Sequence, residues 1–294
     1  MLIQPFDDRD GYIWYDGSLV EWRKATVHVL NHGLHYGSAV FEGLRVYDSK
    51  AFKLREHSER LLKSAELLGY SIPYTADQID EATHEIIKAQ SITDGYVRPI
   101  AWRGSEKMAI SAQHNRIHLA IAAWPWPPYF AKELHEKGIS LRLATYQRPS
   151  PKTAPTASKA AGLYMICTIS KHEAERDGYH DALMLDYRGY LAEATGANLF
   201  LVIDGEIHTP IADCFLDGIT RRTVIDIARK RGIKVYERHI LPEELAKAQE
   251  VFLTGTAAEI TPVGQIDGFE KPFIFKPSAV THQLVEDYHQ LVRS

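Results

Sequence analysis

Apolar residues along this chain keep two different periods, and the points where the period changes predict its elements. Residues 12–15 and 18–20 alternate on either side of Asp16-Gly17, a pair suited to the positive φ of a tight turn, and so predict a β-hairpin. Residues 27–30 are a short apolar run and read as another strand. Residues 39–47 read as a strand that Gly43 interrupts, as a bulge or a close backbone approach would, with residues 51–54 as its hairpin partner. From 57 to 68 the period lengthens to that of a helix, with Leu61, Ala65 and Leu68 on one face and Gly69 at the stop. Thr75 and Gln78 form a capping box for a second helix that turns Ile79, Ala82, Ile86 and Ala89 inward. Residues 96–103 and 117–124 return to the strand pattern.

The stretch WPWPPYF, 124–130, then breaks the pattern with three prolines and four aromatics, which suits either a stiff domain linker alone or one that also walls a pocket. Beyond it, 141–146 reads as a strand, and Pro149, Pro151 and Pro155 keep the following segment extended. Leu163, Cys167, Ser170 and Ala174 recur at helical spacing before Gly178. Strands are expected at 181–186, 190–193, 199–203 and 206–209, the last two joined at Asp204-Gly205. A helix over 220–231, a strand over 233–237, a short helix over 242–248, a buried strand over 250–254 and a helix over 277–293 complete the chain. The mixture predicts an α+β protein with more than one domain.

Composition narrows the class. The chain has 294 residues, 45% hydrophobic and 24% charged, as an ordinary globular protein does. A net charge of −4 gives no electrostatic case for nucleic acid, and no apolar run is long enough to span a bilayer. The start is acidic and lacks a signal-peptide core, so a cytoplasmic protein is expected. Two cysteines, Cys167 and Cys214, cannot make a disulfide framework, and Cys167 falls on an apolar helix face as a buried thiol would.

The candidate chemistry starts at Lys159. It sits where an extended segment meets a helix start, among Ala157, Ala160, Ala161 and Gly162, with no acid within six residues on either side. A lysine kept from water has a lowered pKa, and its neutral amine attacks aldehydes. Glu193 is the only acid between Asp186 and Asp204, in an apolar strand. It is either a salt-bridge partner or a carboxylate facing a protonated heterocycle nitrogen. Gly218-Ile219-Thr220-Arg221 opens a helix after a turn, and Thr254-Gly255-Thr256-Ala257-Ala258 follows a strand end. Both offer backbone N–H groups to an anion, although each alone is an ordinary N-cap motif. Arg60 adds a guanidinium suited to phosphate, unless it is simply a solvated helix residue. An amine, a ring-nitrogen acid and a phosphate cup together suit pyridoxal 5′-phosphate.

These residues stand in LHYGSAVFEGLRVY, HSERL, YVRP, WPWPPY, PTASKAAGLY, EATGANLF, LDGITR and LTGTAAEITPV, and with them the chain resembles the branched-chain-amino-acid aminotransferases of the fold-type IV pyridoxal phosphate family. The resemblance runs over nearly the whole length and implies a two-domain fold. A small α+β domain over 1–124 is joined by a linker over 125–136 to a larger pseudo-β-barrel domain over 137–294 that carries the cofactor lysine. It implies that Lys159 binds the cofactor and shuttles the substrate proton, that Glu193 pairs with the pyridine nitrogen, and that Tyr164 bonds the ring hydroxyl. Arg60, Ile219, Thr220 and Thr256 are then expected on the phosphate. Thr256 and Ala257, helped by Tyr96 and Arg98, receive the substrate carboxylate, and Tyr36, Phe41, Trp126 and Tyr129 form the apolar pocket. No metal is implied. Homodimers or assemblies of dimers are implied, as is transfer of the amino group of leucine, isoleucine or valine to 2-oxoglutarate.

One loop departs from the glycine-rich form of many relatives: RGSEKMAIS, 103–111, brings Glu106 and Lys107 near where a substrate side chain would go. D-Amino-acid and (R)-amine transaminases of the same fold remain alternatives. So, from other classes, do a cofactor-free Schiff-base aldolase and a non-catalytic binding module.

Overall fold

The computed structural model describes residues 4–126 and 132–294. The chain divides into two compact units, one formed by the N-terminal residues through Trp126 together with Ser158–Gly162, the other by the remaining described residues.

The first unit runs β1 (Tyr12–Tyr15), β2 (Ser18–Glu21), α1 (His32–Tyr36), β3 (Ala39–Phe41), β4 (Leu44–Tyr47), β5 (Lys50–Ala51), α2 (Leu54–Leu67), α3 (Ala76–Ala89), β6 (Gly95–Arg103) and β7 (Ile117–Pro125). Its sheet has the order β2-β1-β7-β6-β4-β5, with β3 also on β6, and every pairing is antiparallel. The β1–β2 hairpin forms as expected, with Asp16 at φ +47° and Gly17 at φ +100° in its turn. One face of the sheet carries Val46, Val97, Ala101, Leu119 and Ile121 against Leu61 and Ala65 of α2 and Ile79, Ala82 and Ile86 of α3. Fully burying such side chains stabilises the fold by about 1.5–3 kcal/mol each. The Thr75 capping box is present, with Thr75 N–H to Gln78 Oε1 at 2.9 Å and the reciprocal bond at 3.2 Å.

Two expectations need correction here. Residues 27–30 form no strand, since no neighbour among the described residues pairs with them; Val27 and Val29 are 53% and 68% exposed. Helix α2 begins at Leu54, three residues earlier than the apolar period suggested, after Lys53 turns the chain at φ +53°. Gly43 interrupts the 39–47 segment as expected, parting β3 from β4 at a close approach where a Cβ would lie 1.8 Å from the Tyr96 hydroxyl oxygen.

The second unit runs α4 (Lys132–Lys137), β8 (Ile139–Leu143), α5 (Met165–Arg176), β9 (Asp181–Leu185), β10 (Leu191–Ala194), β11 (Asn198–Ile203), β12 (Glu206–Pro210), α6 (Ile219–Lys230), β13 (Val235–Arg238), β14 (Glu250–Gly255), β15 (Glu259–Asp267), β16 (Phe273–Ile274) and α7 (Ala279–Val292). Six strands close on themselves in the order β10-β9-β8-β15-β14-β11, because β10 also pairs β11 through Glu193 and Asn198. This is the barrel-like sheet the resemblance implied, and the mixed α+β class holds. Leu141, Leu183, Leu199, Leu201, Leu253 and Val263 belong to its core cluster. Strand β15 was not foreseen, and its Pro262 and Gly264 disfavour a strand; it nevertheless pairs β14 on one side and β8 on the other. The buried carboxylate of Glu250 accepts the N–H groups of Ser278 at 3.1 Å and Thr281 at 2.9 Å, fixing the start of α7.

Candidate active site

In the first unit, Lys159 sits in extended backbone on the edge of β3. Val40 bridges Ala160, and Phe41 N–H donates to the Lys159 carbonyl at 3.1 Å. The expected helix start lies further on: a 3₁₀ turn, Ala161–Tyr164, precedes α5. Small neighbours do matter. Gly162 packs on Gly37, where a Cβ would already come within 3.2 Å of the Gly162 Cα. Lys159 is half-buried rather than enclosed, with Nζ 4.9 Å from the centre of the Phe41 ring.

Arg60, from α2, does not stand in solvent. Its Nε and Nη2 reach the two oxygens of Glu42 at 2.6 and 2.9 Å, and His57 Nδ1 lies 2.6 Å from Glu42 Oε2. Glu42 is fully buried, and burial alone would raise its pKa; the Arg60 guanidinium and then His57 outweigh this and hold it well below the usual carboxylate range. Burial lowers the pKa of His57 despite the attraction of Glu42, so its imidazole is neutral near pH 7. Sequence reasoning missed both partners. Glu42 was the only acid in the apolar stretch 39–47, the same signal that singled out Glu193.

The aromatic wall forms around Tyr96. Its ring lies 5.5 Å from Trp124 and 5.6 Å from Trp126, and the Arg98 guanidinium sits 4.9 Å from the Phe41 ring and 5.4 Å from Tyr96. Arg98 Nε is buried with no hydrogen-bond partner among the described residues. It borders a cavity of about 410 Å³ whose other walls include Ile13, Val27, Leu34, Ile100 and Trp102. Tyr36 is about half exposed on α1, and its ring meets His32 at 4.6 Å. Tyr129 lies outside the described residues. Glu106 turns back on its own loop, accepting Arg116 N–H at 3.1 Å.

In the second unit, Glu193 is buried on β10 and has the salt-bridge partner considered for it. Arg148 Nε lies 3.3 Å from its Oε1, and Asn198 Nδ2 donates to Oε2 at 3.1 Å. Burial opposes the Arg148 charge, but Glu193 and then the nearby Cys167 and Tyr164 keep its pKa raised. Arg148 also donates to Cys167 Sγ at 3.2 Å, and burial pushes that thiol up to about 11. Neither Arg148 nor Asn198 was singled out by the sequence, since one stands in a proline-rich loop and the other looks like an ordinary turn residue.

A row of cross-strand pairs extends from this acid: Glu193 with Asn198, Asn198 with Thr254, Thr254 with Ile260. At one end, Thr256, Ala257 and Ala258 make the turn between β14 and β15. Close by, Gly218 caps α6 with no side-chain acceptor, which leaves the N–H groups of Ile219 and Thr220 open to an anion at the end of a twelve-residue helix. The local build fits a bound phosphate. The Thr254 hydroxyl is buried without a hydrogen-bond partner among the described residues. Gly218 and Gly255 also keep the backbone close, since a Cβ would come within 2.2 Å of Asn198 Oδ1 and 3.2 Å of the Gly196 carbonyl oxygen respectively.

Known proteins resemble this chain in sequence and fold. Residues 39–266 match the amino-transferase class IV family. A branched-chain-amino-acid aminotransferase of Pseudomonas aeruginosa is 42% identical over 289 residues, 97% of this chain and 94% of that protein. The crystal structure of the Escherichia coli branched-chain amino acid aminotransferase superposes with a TM-score of 0.92 at 38% identity, covering 97% of this chain and 95% of that one. The branched-chain amino acid aminotransferase of Thermobaculum terrenum, solved in its PLP-bound holo form, gives a TM-score of 0.87 at 31% identity, covering 97% and 95%.

Proposed function

Since the chain belongs to the class IV aminotransferase family, we propose that it moves the amino group of leucine, isoleucine or valine to 2-oxoglutarate, using pyridoxal 5′-phosphate. The observation that carries this is the row Glu193–Asn198–Thr254, which lines up a buried carboxylate with two turns built for anions. When bound, the cofactor supplies an aldehyde and a protonated ring that draws electrons from the substrate Cα.

The chain's own residues do the rest. Lys159 would hold the cofactor's aldehyde carbon through its amine, and the same amine would serve as the acceptor for the substrate Cα proton. The segment around it is fixed by β3, so the amine returns to one place. Glu193 holds the proton on the ring nitrogen, and its own charge is balanced by Arg148. Tyr164 bonds the ring hydroxyl. Ile219, Thr220, Thr256 and Arg60 hold the phosphate, with Glu42 gripping one edge of the Arg60 fork. Thr256 and Ala257 receive the substrate carboxylate, with Tyr96 beside it. Phe41, Trp126, Tyr129 and Tyr36 enclose an aliphatic side chain, and Arg98 receives the second carboxylate of glutamate. The D-amino-acid and (R)-amine alternatives are not favoured, because the relatives at 42% identity are branched-chain-amino-acid enzymes.

A homodimer working in the cytoplasm completes the proposal, with residues 125–136 as the connection between domains. In its support, Val27, Val29, Leu34 and Ile110 of the first unit are 53%, 68%, 67% and 88% exposed, apolar side chains of the kind a subunit interface covers. The deciding experiment supplies L- and D-leucine with 2-oxoglutarate to protein loaded with pyridoxal 5′-phosphate. Glutamate should form from the L-isomer alone, and borohydride should fix the cofactor on Lys159. A chain that takes up no cofactor, or one labelled elsewhere, refutes the reading.

A further inference from the structure

We propose that Asn198 is a positioning residue that keeps the Glu193 carboxylate in register with the anion-binding turn before α6. The inference rests on the cofactor reading above and concerns how its two anchor points are tied together. Asn198 is 5% exposed. Its Nδ2 donates to Glu193 Oε2 at 3.1 Å and to the Leu216 carbonyl at 3.1 Å. Its Oδ1 lies so near Gly218 that a Cβ there would come within 2.2 Å. One planar amide thus touches the acid's strand on one side and both ends of the Leu216–Gly218 turn on the other. It is also the pair partner through which β10 joins β11 and closes the ring of strands.

The chemistry suits an amide. Two N–H groups on one nitrogen serve two acceptors at once, which a hydroxyl cannot do. The carboxylate torsion of glutamate is broad and soft, so a donor on Oε2, with Arg148 beside Oε1, is what sets the plane of the group. A ligand that carries its phosphate on a short arm of the ring that holds its nitrogen would need the two receptors kept within a narrow range of separation. If either drifts, the two contacts cannot be made together.

Titration with pyridoxal 5′-phosphate, followed by its visible absorption, tests this on Asn198→Ala in two backgrounds. Where Glu193 is present, Asn198→Ala should weaken cofactor binding about tenfold; combined with Glu193→Ala, the further loss should stay below about twofold. An equal loss in both backgrounds overturns the inference, because Asn198 would then act through the turn or the fold alone. Wild-type protein that binds no cofactor instead overturns the functional reading, and this inference with it. Asn198→Asp gives a second, fold-conserving readout. Protonated, the acid donates to Glu193 as the amide does; ionised, it repels it. Its affinity relative to wild type should therefore recover as pH falls, and a deficit independent of pH again overturns the inference.

Discussion

Ser64 grips the chain of Lys159 at two points. Its hydroxyl accepts the Lys159 N–H at 3.0 Å, and its carbonyl accepts the Ser158 hydroxyl at 2.9 Å. Ser64 is 1% exposed on α2, so helix packing fixes the lysine's main chain while leaving its side chain to move. Ser64→Ala leaves the Lys159 N–H without this acceptor and should cost about 1–2 kcal/mol of stability. The amine should also react less readily, seen as slower borohydride fixation of cofactor on Lys159. Denaturant unfolding and that labelling rate both unchanged would show the grip to be incidental.

Glu42, His57 and Arg60 predict the acid limb of stability. Glu42 ionises well below its ordinary 4.5, so its contribution is whole above that pH and drains away as pH falls further. His57 is held neutral with its pKa below the ordinary 6.5, so the unfolded chain takes a proton the folded one refuses. Its contribution is therefore whole above 6.5 and shrinks as pH drops toward its folded value. Urea unfolding across pH should show both limbs, and His57→Gln should remove the upper one.

Glu42→Gln should cost about 3 kcal/mol, since it removes the buried carboxylate that balances the mostly buried Arg60 charge. Cofactor affinity should fall with it, because Arg60 then loses the carboxylate that aims it. An E42Q protein with wild-type unfolding midpoint and cofactor titration would remove this pair from the phosphate site.

Gly218→Ala should damage the anion turn, while Gly196→Ala should not. A Cβ at 218 would lie 2.2 Å from Asn198 Oδ1, whereas one at 196 meets nothing within 4 Å. Roughly tenfold weaker cofactor binding is expected for the first and wild-type binding for the second. Equal behaviour in a cofactor titration would argue against the crowded turn.

Both thiols should resist modification in the native protein. Burial pushes Cys167 up to about 11 and Cys214 up to about 12, and both side chains are shielded from solvent. A thiol-reactive dye at pH 8 should count no fast thiols before denaturation and two after it. A fast-reacting thiol in the native state would contradict the Arg148–Cys167 packing.

Much of the fold was legible in the order of residues, and so were the motifs proposed for the site, for local reasons. The capping box at Thr75, the turns at Asp16-Gly17 and Asp204-Gly205 and the stop glycines act within four residues, so they needed no tertiary context. The motifs around Lys159, Glu193 and Ile219-Thr220 were also contiguous, and a strand end followed by small residues announces backbone N–H groups whatever lies elsewhere. What the sequence could not reveal was which side chains meet across the sheets. Glu42 with Arg60, Ser64 with Lys159 and Arg148 with Glu193 are separated by 18, 95 and 45 residues, and no period or spacing links them. Strand β15 was hidden for a related reason: Pro262 argues against a strand until neighbours on both sides supply the pairing that overrides it. The residue types were therefore fixed by local order. Their partners, and with them the charge state and position of each group, were fixed only when folding brought distant segments into hydrogen-bond range, where burial makes every unmatched charge costly.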